Sequence, residues 1–194
     1  MFSHSSARIA GFLIALLGIS AWADSETTAS ESQVIYLVRH AEKQGGAGGG
    51  LDPQLSQEGQ LRAKQLAHVL GQVGIEAVYS TDYARTKETA TPLAEQLNLP
   101  VQTYNPHKLK EFAQQLHEAS QRVLVVGHSN TTPKLVALLG GDQGKPIRES
   151  DEYDRLYILI RDRGEVTTLL QRYGADSRVK KAGDSGRGKA IHKN

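Results

Sequence analysis

Gln33-Val34-Ile35-Tyr36-Leu37-Val38-Arg39-His40 (QVIYLVRH, 33–40) is an apolar run that stops abruptly at an arginine and a histidine. It lacks the apolar–polar alternation of a half-exposed strand. Such a run suits a strand covered on both faces, the normal situation in a parallel sheet flanked by helices. Two further runs have the same character. Residues 75–79 lead into Ser80-Thr81-Asp82, and residues 123–126 lead straight into Gly127-His128-Ser129-Asn130.

Helical patterns separate these runs. Ser56 is placed to cap a helix in which Ala63, Leu66, Ala67 and Leu70 recur at i, i+3, i+4 and i+7. Thr86, Thr89, Ala90, Leu93, Ala94 and Leu97 line a second helical face, and Pro92 is expected to kink or restart it. A short strand is expected over 101–104, and Leu109, Phe112, Ala113 and Leu116 mark a third helix. A helix follows over 133–139. Strands over 156–160 and 166–170 then close around an Asp162-Arg163-Gly164 turn. Strands alternating with helices predict an α/β fold with a mostly parallel central sheet in a three-layer α/β/α arrangement.

The ends read differently. Residues 1–23 have the form of an export signal. Arg8 lies in a polar start, residues 9–19 are apolar, and Ala21-Trp22-Ala23 supplies a small-x-small cleavage pattern. The apolar stretch falls short of the roughly 20 residues a spanning helix needs. The expectation is cleavage, transfer across the inner membrane to the periplasm, and no stable membrane anchor. Residues 175–194 carry six Lys/Arg against two Asp/Glu and few apolar side chains, the composition of a disordered tail. Between them, residues 24–174 hold 16 Lys/Arg and 19 Asp/Glu, so a mildly acidic domain lies behind the overall charge of +2.

Of the 194 residues, 39% are hydrophobic and 23% charged, an ordinary globular composition for one domain. There is no cysteine, which excludes disulfides, zinc–thiolate sites, iron–sulfur clusters and cysteine nucleophiles. The small net charge gives no reason to expect a nucleic-acid partner. The glycine-rich stretch 45–50, close behind His40, is expected to be a mobile loop, either a plain connector or a flap beside the pocket.

In open α/β sheets, ligands gather beyond the carboxyl ends of the strands. That rule brings Arg39, His40, Arg85 and His128 to one edge of the sheet. Arginine offers planar forks of donors suited to phosphate or carboxylate oxygens. A histidine among such cations has its protonated form disfavoured, which leaves a neutral ring with a free lone pair. His40 is therefore a candidate nucleophile toward phosphorus, with Arg39, Arg85 and His128 as donors around the equatorial oxygens. A metal site on His40, His128 and Glu42 is disfavoured because no further aspartates stand beside the histidines.

Val38-Arg39-His40-Ala41-Glu42-Lys43, the segment Tyr79-Ser80-Thr81-Asp82-Tyr83-Ala84-Arg85-Thr86, and Val125-Val126-Gly127-His128-Ser129 together resemble the three signatures of the histidine phosphatase superfamily, the phosphoglycerate mutase-like proteins. The resemblance covers about residues 33–170. Ser129 follows His128 where the large acid-phosphatase branch has aspartate, and the chain is too short for that branch's cap domain. The compact branch is the better match.

The resemblance implies transient phosphorylation of His40 and a phosphate pocket formed by Arg39, Arg85 and His128. It also implies that neither a metal nor another cofactor is required. Compact members often use a glutamate some 25 residues after the second arginine as proton donor, a place near which Glu111 stands. Glu42, Asp151 and Glu152 are alternative donors. The expected activity is that of an exported phosphatase acting on a phosphorylated small molecule or an envelope substrate. A phosphate-anion binding module without turnover and a phosphohistidine protein phosphatase of the SixA type are the alternatives. Oligomeric state is not legible.

Overall fold

Side chains of the first strand, β1 (Gln33–Arg39), divide between two cores: Ile35 and Leu37 point to one face of the sheet, Tyr36 and Val38 to the other. That division explains why the run is apolar at successive positions. The structure is a computed structural model that describes residues 32–45, 50–119 and 121–177. The expected export signal, the centre of the glycine-rich loop and the tail from residue 178 lie outside the described residues.

The remaining elements follow in order: α1 (Gln57–Leu70), β2 (Ala77–Ser80), α2 (Ala84–Gln96), β3 (Val101–Thr103), α3 (Leu109–Glu118), β4 (Val123–Gly127), α4 (Thr131–Leu138), β5 (Arg155–Asp162) and β6 (Glu165–Arg172). The six strands form one sheet in the order β3-β2-β4-β1-β5-β6. Pairings β3–β2, β2–β4 and β4–β1 are parallel, whereas β5 runs antiparallel to β1 and to β6. Helices α1 and α2 place Leu66, Leu70, Ala90 and Leu93 against one face. Helices α3 and α4 place Phe112, Leu116, Leu135 and Val136 against the other. The three-layer α/β/α architecture with a mostly parallel sheet is therefore the observed one. Each fully buried leucine or isoleucine in these layers stabilises the fold by roughly 1.5–3 kcal/mol.

Local chemistry sets several boundaries. Ser56 caps α1 as expected, its hydroxyl accepting from the Gly59 N–H at 3.2 Å. Arg163 and Gly164 both adopt positive φ (48° and 88°), the conformation that lets a two-residue turn join the twisted strands β5 and β6. Helix α2 runs through Pro92 as one element, so the proline does not restart it. A mid-helix proline costs about 3 kcal/mol. Here the buried face of Thr86, Thr89, Ala90, Leu93 and Ala94 lies on both sides of Pro92, and its packing offsets that cost.

Hydrogen bonding to the body extends past residue 174. Arg62 Nη2 donates to the Ala175 carbonyl at 2.9 Å, and the Ser177 hydroxyl accepts from the Tyr153 N–H at 3.1 Å.

Candidate active site

Parallel pairing of β1 with β4 puts Arg39 beside Gly127, and the His40 N–H donates to the Gly127 carbonyl at 2.8 Å. His40 and His128 are thus carried to the same edge by adjacent strand ends, with ring centroids 5.5 Å apart. Strand β2 ends next to them, and Arg85 follows in the first turn of α2. His40, Arg85 and His128 line a cleft of about 900 Å³, together with Lys43, Tyr83, Glu111 and Glu149 among others.

His40 is 2% exposed. Its Nδ1 lies 2.7 Å from the Ala41 carbonyl oxygen. Because a carbonyl only accepts, Nδ1 carries the proton and Nε2 keeps its lone pair. Burial pushes the imidazole down to about 3, against the hydrogen bond to Ala41, and the charges of Arg39, His128 and Arg85 push it the same way. The sequence reading anticipated the like-charge contribution. The structure shows that desolvation is the larger one.

His128 is likewise held down to about 4, first by burial and next by Arg85. Its Nε2 lies 3.0 Å from the Thr81 hydroxyl, which lies 2.9 Å from the Thr86 hydroxyl. Thr86 in turn faces the carbonyls of Thr81 and Tyr83 at 3.0 and 2.9 Å. With the Thr86 proton directed to a carbonyl, Thr81 donates to Thr86 and accepts from His128 Nε2–H. Tyr83 packs edge-on against the His128 ring at 5.2 Å.

Arg39 is 1% exposed and already heavily engaged. Its Nη1 donates to the carbonyls of Arg148 and Glu152, each at 3.0 Å, and its Nη2 to the Glu149 carbonyl at 2.8 Å. Nη2 also meets the Glu149 carboxylate at 3.2 Å, and the guanidinium lies 4.1 Å from the centre of the Tyr153 ring. Nε is buried without a partner. Arg39 therefore fastens the segment between α4 and β5 to the end of β1; unlike His40, Arg85 and His128, it is not among the residues that line the cleft.

Arg85 lies over the Tyr83 ring at 4.5 Å, and its Nη1 faces the Asp52 carboxylate at 3.4 Å. Asp52 also accepts from the Ala84 N–H at 3.1 and 3.0 Å, at the start of α2. It comes from the far arm of the glycine-rich loop, whose arms pair through Lys43 and Leu55.

The candidate proton donors separate clearly. Glu111 is on the cleft wall, its side chain 70% exposed and paired with Lys108 at 3.1 Å. Glu42 is gripped by Arg62 through Nε and Nη2 at 2.8–3.0 Å. That grip also withdraws Glu42 from the metal alternative. Asp151 is bound to Arg148 at 2.9 Å, and that hydrogen bond holds its carboxyl below the usual range. Glu152 is 1% exposed. Burial would raise its carboxyl, but hydrogen bonds from Arg155 and from the Arg148 N–H outweigh it and hold the group at about 2.

Sequence reasoning missed Asp52, Thr81, Tyr83, Glu149 and Tyr153. Thr81 and Tyr83 lie inside the segment 79–86 that carries Arg85, so proximity to Arg85 is a usable signal. Glu149, which accepts from the Ser129 hydroxyl as well as from Arg39, lies in an irregular segment with no pattern.

Comparison with known proteins bears on part of this site, the family match ending before His128. Residues 35–112 match the family model described as the histidine phosphatase superfamily, branch 1. Phosphoserine phosphatase 1 of Hydrogenobacter thermophilus is 42% identical over 71 residues, 34% of each chain. The matched region thus spans about a third of that relative. Among solved structures, the protein histidine phosphatase SixA complexed with tungstate superposes with a TM-score of 0.57 at 21% identity, covering 72% of this chain and 96% of the other. Mycobacterial glucosyl-3-phosphoglycerate phosphatase with inorganic phosphate gives 0.55 at 16% identity, covering 76% and 99%. A phosphoserine phosphatase mutant from Entamoeba histolytica gives 0.52 at 15% identity, covering 73% and 96%. At these identities the structures are alike in fold.

Proposed function

We propose that the chain, whose residues 35–112 match the histidine phosphatase superfamily model, belongs to that superfamily and hydrolyses phosphomonoesters through a phosphohistidine on His40. The observation that carries this reading is the Nδ1–Ala41 hydrogen bond, which leaves Nε2 as a lone pair in a cleft shared with Arg85 and His128. Nε2 attacks phosphorus as the ester P–O bond breaks, and the electron pair leaves on the ester oxygen. Glu111 gives that oxygen its proton. Water then attacks phosphorus, the N–P bond breaks with its pair returning to Nε2, and the carboxylate of Glu111 takes the proton that water loses.

Arg85 holds the phosphoryl oxygens. An arriving dianion favours protonation of His128, converting it into a further donor. These cations provide the charge that a hydrolytic metal would otherwise supply, so turnover is expected without one. The pattern over residues 1–23 supports export to the periplasm, with the substrate a phosphorylated small molecule or envelope component.

The test is turnover of p-nitrophenyl phosphate by purified protein in EDTA, with His40→Ala as control and acid-quenched trapping of the phosphoenzyme. Metal-independent turnover that disappears in the control, with a trapped covalent phosphate, supports the proposal. Tight orthophosphate binding without turnover or phosphoenzyme would replace it with the anion-binding reading. Preferential dephosphorylation of a phosphohistidine protein over phosphomonoesters would replace it with the SixA-like one.

A further inference from the structure

Charge around the cleft exceeds what one phosphate requires. Arg85, Lys43, Lys108, Lys110 and Lys134 line it, against Glu111 and Glu149. Two of these cations have a carboxylate partner, Arg85 in Asp52 and Lys108 in Glu111. Glu149 is engaged by Arg39 from behind the cleft. Lys43, Lys110 and Lys134 make no side-chain ion pair or hydrogen bond among the described residues. They come from three separate places: the segment after β1, the first turn of α3 and the first turn of α4.

That arrangement does not serve the fold. A cation near a helix N-terminus faces the positive end of the helix dipole and costs about 0.3–1 kcal/mol. Lys110 and Lys134 both occupy such positions. The domain is acidic elsewhere, since residues 24–174 carry more Asp/Glu than Lys/Arg, so the surplus of lysine is local to the cleft. A volume of about 900 Å³ also far exceeds one phosphate and suits a whole metabolite-sized ligand.

We propose that Lys43, Lys110 and Lys134 form a second anion subsite, and that the substrate is a small phosphomonoester bearing another anionic group away from the reacting phosphate. This rests on the phosphatase reading for what happens at His40. The second group is a phosphate or a carboxylate, either of which lysine ammonium groups hold as point charges. Its attraction is long-ranged and screened by salt.

Binding to the full-length His40→Ala protein tests the subsite without turnover. Calorimetric titrations compare glucose 1,6-bisphosphate with glucose 6-phosphate, and 3-phosphoglycerate with glycerol 3-phosphate. At least one doubly anionic probe is expected to bind ten-fold or more tightly than its partner at low salt. The pair showing the larger ratio identifies the second group as phosphate or carboxylate. Combined Lys43→Ala, Lys110→Ala and Lys134→Ala substitution is expected to collapse the ratio toward one, as is 0.5 M salt. Lys64→Ala, on α1 outside the cleft, leaves it intact. Equal binding within both pairs, or a ratio that survives the triple substitution, would overturn the subsite. Phosphatase function is read separately through p-nitrophenyl phosphate turnover by the wild-type protein.

Discussion

Asp52 holds Arg85 from the side of the glycine-rich loop: its carboxylate lies 3.4 Å from Nη1 and also receives the Ala84 N–H at the start of α2. A carboxylate in that position competes with any anion that Arg85 is to bind. Asp52→Asn keeps an oxygen to accept from Ala84 and removes the charge. An exposed pair of this kind contributes about 0.5–1 kcal/mol. The variant is expected to bind orthophosphate roughly two- to five-fold more tightly. Product inhibition of p-nitrophenyl phosphate hydrolysis measures this, and weaker inhibition in the variant would show that Asp52 positions Arg85 instead of competing for it.

Buried neutral histidine makes stability depend on pH. His40 is pushed down to about 3 in the fold, whereas an unfolded chain titrates near 6.5. Between those values the unfolded chain binds more protons, so stability is fully present above about pH 6.5 and is lost as pH falls toward 3. His128, held to about 4, adds to the same slope. The expected loss from His40 alone between pH 6.5 and pH 4 is on the order of 3 kcal/mol. Urea unfolding at a series of pH values is expected to show a clearly shallower acid slope in His40→Asn than in the wild type.

Much of this site could be anticipated because its main groups sit immediately after apolar runs. The ends of β1 and β4 predict where Arg39, His40 and His128 meet, since parallel neighbours finish at the same sheet edge. The course of α2 through Pro92 was not legible, because helix continuity there depends on packing against the sheet. Nor was the engagement of Arg39, whose three carbonyl partners come from Arg148, Glu149 and Glu152, far away in the chain. A single sequence shows that Arg39 follows a strand but not which loop folds over it. The same limit hid Asp52 and Glu149, since each is defined by a partner distant in sequence.

Arg39→Lys tests that engagement. An ammonium group cannot reproduce two arms donating to three carbonyls and lying over Tyr153. Each buried acceptor left unpaired costs about 1–3 kcal/mol. The variant is expected to lose roughly 2–4 kcal/mol of stability. It should also lose activity, because the segment carrying Glu149 is released from the end of β1. Guanidinium unfolding measures the first effect. An unchanged midpoint would mean that the loop is held by something other than Arg39.

At Gly59 a methyl group would stand 2.1 Å from the Glu42 carbonyl oxygen. Helix α1 must pass this close to the backbone two residues beyond His40. Gly59 lies in the first turn of α1, and replacing a helical glycine with alanine ordinarily gains up to about 1 kcal/mol. Here overpacking against backbone is expected to outweigh the gain, for a net loss of about 1–2 kcal/mol. The displaced Glu42 backbone is also expected to lower kcat by disturbing His40. A thermal unfolding scan showing a stabilised Gly59→Ala protein would contradict the close approach.

The proton donor can be assigned by varying the leaving group. Glu111 and Glu149 are the carboxylates lining the cleft among the described residues, and Glu149 is already engaged by Arg39 and the Ser129 hydroxyl. Protonation matters most when the departing oxygen is strongly basic, and general acid catalysis contributes about 10²–10⁴-fold. Glu111→Gln is therefore expected to reduce kcat/KM for an alkyl phosphate by about 100-fold or more. Its effect on p-nitrophenyl phosphate, whose leaving group needs little help, is expected to be only a few-fold. Equal losses on both substrates would point to altered binding, since a missing acid has no reason to spare the better leaving group. If Glu149→Gln produces the unequal losses and Glu111→Gln does not, the acid is Glu149, and its pairing with Arg39 must open when substrate arrives.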